Sequence, residues 1–93
     1  MKLPKQIKVA GVHYDIELVE DDEKCGSCSY DSLLLRVDPR LKAEKRQQVF
    51  IHELLHSIFY ESGYIDHEEE MVDRVSRVLF QVLKDNDITS YLS

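Results

Sequence analysis

VFIHELLHSIFYESG, residues 49–63, is the stretch on which the reading of this chain turns. Its apolar side chains recur at steps of three and four, so that Ile51, Leu54, Leu55, Ile58 and Phe59 fill one arc of a helical wheel. His52, Glu53 and His56 share a separate arc. Residues four apart lie one turn apart on the same helix face, so the two imidazoles can reach a single ion. Neutral imidazole nitrogen suits Zn²⁺. Glu53 stands about 100° round the helix from His52, which disfavours it as a ligand but lets it reach a water beside the metal. With 4 histidines in 93 residues, an accidental H-E-x-x-H arises in roughly one such chain in fifty. The bland alternative is a pair of histidines that bind nothing, and the shared polar arc weighs against it. The helix is expected from about Lys42 to Ser62, with Gly63 in the place of a C-cap glycine.

Upstream, the period changes to that of strands. In IKVAGVHYDIELV, Val12, Tyr14, Ile16 and Leu18 alternate with His13, Asp15 and Glu17, and Ala10-Gly11 between Val9 and Val12 predicts a tight hairpin. The acidic run Glu20 to Lys24 reads as a loop. A second strand, SLLLRVD, sets Leu33, Leu35 and Val37 against Leu34, Arg36 and Asp38 and ends at Asp38-Pro39. This strand, Leu33 to Val37, directly precedes the motif helix and is expected to form the edge of its cleft, where an extended substrate could add as a further strand.

Downstream, a second helix is expected from about His67 to Asn86, with Asp66 as N-cap and Val72, Val75, Leu79, Val82 and Leu83 as its apolar face. The tail ITSYLS would be loose or packed only through Tyr91 and Leu92. The fold class is therefore α+β: a small antiparallel β-sheet followed by two packed α-helices that carry the zinc site, in one domain over residues 1–93.

A catalytic zinc needs a third protein ligand and keeps one position for water. His67, Glu68, Glu69 and Glu70 all stand at the start of the second helix. Periodicity removes Glu70 and mildly favours Glu68. A ligand at the border of core and cleft, with the acidic Asp73 one turn on, favours Glu69 instead. Asp66 and Glu69 also have capping-box spacing, which gives that glutamate a purely structural use. Bound zinc would lower the pKa of its water towards ~7, and Glu53 would take the water's proton and deliver it to a leaving amine. Tyr60, Tyr64 and His67 are candidate donors to the oxyanion.

Composition narrows the setting. The formal net charge is −6, and an acidic surface repels phosphate backbones, so nucleic acid is a poor partner. No segment approaches the ~18 consecutive apolar residues of a membrane span, and MKLPKQIK lacks a signal peptide's apolar stretch. A cytoplasmic protein is expected. Cys25 and Cys28 form a lone C-x-x-C without the second pair of a zinc ribbon, and read as reduced, partly buried thiols.

From Leu33 to Asn86 the chain resembles the minimal gluzincin-type metallopeptidases, and most of all the small phage and prophage proteins related to the ImmA/IrrE family. The strand LLLRVD, the helix VFIHELLHSIFYESG and the second helix EEEMVDRVSRVLFQVLKDN carry the resemblance, and IKVAGVHYDIEL is similar to that group's opening hairpin. The resemblance implies a zinc metalloendopeptidase acting on protein or peptide substrates, with His52, His56 and Glu69 as ligands and Glu53 as catalytic base. It also implies Asp73 as the residue that holds His52 in place. The chain departs from longer members in lacking a DNA-binding segment, and from thermolysin in lacking its downstream oxyanion histidine. A non-catalytic, zinc-stabilised interaction module is the alternative, and the intact Glu53 discriminates, since structural zinc needs no general base.

Overall fold

Ala10 and Gly11 both sit at positive φ, 51° and 82°, in the computed structural model, which describes residues 3–92. This is the backbone of a two-residue hairpin turn whose twist matches its strands. It joins β1 (Gln6–Val9) to β2 (Val12–Leu18) with Val9 opposite Val12. The chain continues through β3 (Gly26–Ser29), β4 (Leu34–Val37), α1 (Ala43–Glu61) and α2 (Glu69–Asp85), and closes with a short 3₁₀ turn at Thr89–Tyr91. Ser93, the end of the expected tail, lies outside the described residues, as do Met1 and Lys2. Tyr91 and Leu92, expected to pack if anything in the tail did, are largely exposed.

The α+β arrangement holds, but the sheet is mixed rather than antiparallel. Its strand order is β1-β2-β4-β3, with β2 and β4 parallel and both outer pairings antiparallel. The cause is β3, a strand the sequence does not advertise. Gly-Ser-Cys-Ser has neither alternating apolar residues nor β-branched ones. It runs antiparallel to β4 on the outer edge, so β4 inserts beside β2 pointing the same way. Leu34–Val37 is consequently an interior strand, and the edge that borders α1 is β3 instead.

Two devices hold β3 in place. Asp38, 5% exposed, accepts hydrogen bonds from the Arg40 guanidinium at 2.7 Å and from the Asp21 backbone N–H at 3.2 Å. The side-chain hydrogen bond from Arg40 holds its carboxyl well below the usual range. The Asp38 N–H donates to the Cys25 carbonyl at 2.9 Å, so this residue pins both the acidic loop and the start of β3. Gly26 provides the second device. A Cβ there would stand 2.5 Å from Val49 Cγ1 and 2.7 Å from the Arg36 carbonyl oxygen, so only glycine lets the edge strand and α1 approach this closely.

Val9, Tyr14, Leu35 and Val37 of the sheet pack with Val49 and Phe50 of α1 to form the core. The fully buried Tyr14 donates its hydroxyl to Glu61 at 2.6 Å and ties the sheet to the far end of α1. Gly63, φ 96°, ends α1 as the sequence predicts, with the Tyr64 N–H returning to the Phe59 carbonyl. The second helix begins later than expected, at Glu69, and Asp66 makes no cap; Glu68 stands at the N-cap without a side-chain hydrogen bond. Its buried face is Val72, Ser76 and Phe80, whereas Val75 and Leu83 are 44% and 43% exposed. The helix is rotated from its apolar arc because it packs against α1 and no other element. That rotation brings Glu69, three residues before Val72 and seven before Ser76, onto the contact face.

Replacing Gly26 with Ala is expected to lower stability by about 1–3 kcal/mol through the forced shift of Arg36 and Val49. Urea unfolding of the two proteins measures the difference, and equal midpoints would remove the close-approach argument.

Candidate metal centre

His52 and His56 project from successive turns of α1 with ring centroids 5.0 Å apart, edge to face. The first residue of α2 meets them both. Glu69 Oε1 lies 2.7 Å from His52 Nε2, and Oε2 lies 2.9 Å from His56 Nε2. One ligand atom from each of the three residues stands within 4.8 Å of the others, the one such group of three or more His, Cys, Asp and Glu among the described residues. Two imidazoles and a carboxylate are the donor set of a His₂Glu zinc site. Tetrahedral ligands at zinc bond lengths of 2.0–2.1 Å stand roughly 3.3 Å apart, so the exposed Glu69 carboxylate needs only a small swing to fit.

Protonation agrees with that use. Burial lowers the pKa of His56, against the opposing charge of Glu69, and favours the neutral ring. Burial would raise Glu69, but hydrogen bonding to His52 and the adjacent imidazoles outweigh it and hold the carboxyl below its usual range. A neutral imidazole beside an ionised carboxylate is the ligand state that a divalent cation requires.

The remaining nitrogens are also engaged. His52 Nδ1 lies 3.4 Å from Ser76 Oγ and 3.7 Å from Asp73 Oδ1. Asp73 is thus beside His52 where expected, at more than hydrogen-bond length, and Arg77 holds its other oxygen at 3.1 Å. His67 is neither a member of the ligand group nor free. Its Nε2 lies 2.8 Å from His56 Nδ1, and its Nδ1 lies 2.6 Å from the Tyr64 carbonyl. Glu70 turns away to Arg74 at 2.7 Å, and Glu68 is exposed at the helix cap.

Glu53 is 8% exposed, more buried than an apolar arc on the other side of the helix would suggest. It faces β3, between two cavities. One, of about 220 Å³, is lined by Cys25, Gly26, Gln48, His52 and Asp73; the other, of about 390 Å³, by Ser27, Cys28, Tyr30, His56 and Glu69. Burial pushes the Glu53 carboxyl up to about 7, with the charge of His52 acting in the opposite sense. Such a group can both take and return a proton near neutral pH.

Tyr30 belongs to the site although its sequence position gave no sign of it. Its ring stacks on Tyr60 at 4.1 Å, and its hydroxyl lies 3.5 Å from His67 Nε2. Burial, with the charges of Cys28 and Glu53, pushes the phenol up to about 12, so it carries its proton. Of the other oxyanion candidates, Tyr60 serves as Tyr30's stacking partner and Tyr64 is 66% exposed. Both cysteines are free thiols. Cys25 is exposed, and burial pushes Cys28 up to about 12.

No protein-family model, curated protein sequence or solved structure matches this chain.

Two measurements test this geometry. In a chelator-competition titration, Glu69→Ala is expected to lose more than about 100-fold in zinc affinity, beyond the loss of an outer partner, and Asp73→Asn about 10-fold. Glu68→Ala and Glu70→Ala should match the wild type, and Glu68→Ala as the weakest binder would mean the wrong helix face is assigned. The second measurement is stability against pH in metal-free protein. The unfolded Glu53 carboxyl titrates near 4.5 and the folded one near 7, so the folded state binds the extra proton between them and stability falls as pH rises through that window. The Glu53 contribution is roughly 3 kcal/mol at most. Urea unfolding of wild type and Glu53→Gln isolates it as a difference in slope, and parallel pH profiles would contradict it.

Proposed function

We propose that this chain is a zinc-dependent metalloendopeptidase of the gluzincin kind, related to the small ImmA/IrrE-like phage and prophage proteins. The convergence of His52 Nε2, His56 Nε2 and both Glu69 oxygens at 2.7 and 2.9 Å, beside the buried Glu53, carries the reading. A zinc ion held by these three residues would supply a Lewis acid and a water of lowered pKa. Glu53 then acts as the base that takes the proton of the attacking water and passes it to the leaving amine. Tyr30, a protonated phenol lining the same cavity as His56 and Glu69, would donate a hydrogen bond to the developing oxyanion.

The substrate is an extended protein or peptide segment. β3 is an outer strand of the sheet and lines the same cavity as Glu53, so a segment adding there as a strand would carry its carbonyls past the site. The acidic surface argues against nucleic acid. No helix among the described residues is long and apolar enough to cross a membrane, and free thiols suit a reducing compartment such as the cytoplasm. A buried proton-exchanging carboxyl at position 53 has no use in a purely structural zinc site, which favours hydrolysis over a non-catalytic zinc module.

Elemental analysis of untagged protein should find about one zinc per chain. Glu53→Gln should retain it and lose peptide cleavage by at least about 100-fold, because an amide cannot accept the water's proton. Peptide-library digestion followed by mass spectrometry reads the second effect. Protein that takes up no transition metal even after zinc addition, or a Glu53→Gln variant that cleaves at the wild-type rate, would refute the proposal.

A further inference from the structure

We infer that His67 is a positioning residue, which holds the His56 ring through Nδ1 so that its Nε2 faces the metal position. The inference rests on the zinc reading above and concerns how the site is kept ready. The Tyr64 carbonyl can only accept a hydrogen bond, so at 2.6 Å the His67 Nδ1 must carry a proton and donate it. In the neutral ring this leaves a lone pair on His67 Nε2. With a metal on its Nε2, His56 carries its proton on Nδ1 and, 2.8 Å away, donates it to that lone pair. The ring is thereby held at Nδ1, and Nε2 on its far side faces Glu69 Oε2 at 2.9 Å, where a bound metal would take the place of the Nε2 proton. A backbone carbonyl two residues before Asp66 thus sets the chemistry of a ligand on another element.

Other contacts make His67 a fixed part of the site. Its ring packs on Phe59, with centroids 5.4 Å apart, and on His56 at 5.0 Å. The turn at Gly63 folds residues 64–67 back over the end of α1, so the two rings meet at all. Its partner Tyr30, at 3.5 Å from the same Nε2, is too distant to compete with His56 for the lone pair. The two ligand histidines are therefore supported differently. At Nδ1, His52 has only long contacts, 3.4 Å to Ser76 and 3.7 Å to Asp73, while His56 has one short bond to a neutral acceptor. A neutral acceptor orients the ring without adding negative charge to the site, which preserves the Lewis acidity of a bound zinc.

The test compares wild type, His67→Phe and His67→Gln, with zinc itself as the probe. Phe keeps a ring against Phe59 and His56 but cannot accept a hydrogen bond; Gln places an acceptor oxygen near the position of the lost Nε2. Chelator competition should show His67→Phe weaker by about 10–100-fold and His67→Gln restored to near wild type. Long-range ¹H–¹⁵N spectra of the zinc-loaded wild type should show His67 and His56 both protonated at Nδ1. An equal zinc affinity in His67→Phe, no restoration by Gln, or a zinc-loaded protein with His67 protonated at Nε2 overturns the inference. Should His67→Phe fail to fold, the spectrum of the zinc-loaded wild type decides it alone. A wild type that takes up no zinc rejects the metal reading itself, whereas a wild type that binds and a Phe variant that binds equally reject only the role of His67.

Discussion

A helix that turns two imidazoles and a carboxylate towards protein rather than towards water must find a partner for each of them, because an unpaired buried polar group costs about 1–3 kcal/mol. On α1 that obligation falls on His52, Glu53 and His56, and much of the molecule around them serves to meet it. Glu69 arrives from the start of α2, Asp73 and Ser76 stand one and two turns further on, and His67 reaches in from the connecting turn. Among the described residues no buried side-chain nitrogen or oxygen is left without a partner. The site's polarity is thus built into the packing.

The same obligation explains the unusual position of α2. An amphipathic helix ordinarily buries its apolar stripe, yet here Met71, Val75, Val78 and Leu83 are each at least 40% exposed. The contact face is instead Val72, Ser76 and Phe80, with the small Ser76 next to His52. Val72 and Phe80 are the buried apolar residues of this face. A metal shared between His52, His56 and Glu69 would cross-link the two helices, and binding free energy at such a site is also folding free energy. In a chain of 93 residues, whose core alone gives a narrow margin, that coupling matters.

On the other side of α1, the burial of Glu53 depends on an edge strand that offers almost nothing in hydrophobicity. Gly26 lets β3 come close enough to exclude water from the carboxylate, and Asp38 anchors the residue that leads into the strand. Glu53 is raised because it is buried, and it is buried because residue 26 has no Cβ. Protonation at the site therefore follows from a backbone contact several residues from any ligand.

The sequence by itself determined the helices, the opening hairpin, the α+β class and the pairing of His52 with His56, since each follows from a local period or from an i, i+4 spacing. It named Glu69 by its place at the border of core and cleft, by Asp73 one turn on and by resemblance, while helix periodicity left Glu68 in contention. Tertiary structure alone decided the rest. The strand β3 was hidden because Gly-Ser-Cys-Ser has no pattern of its own and exists as a strand only where β4 and α1 receive it. The sheet became mixed for the same reason. The buried face of α2 could not be read from its apolar arc, since a helix packed on one polar partner turns towards that partner's charges. Tyr30 came to the site through a contact 37 residues away in the chain, a separation at which no local period carries information, and His67, which the sequence offered as a possible ligand, meets His56 at Nδ1 instead.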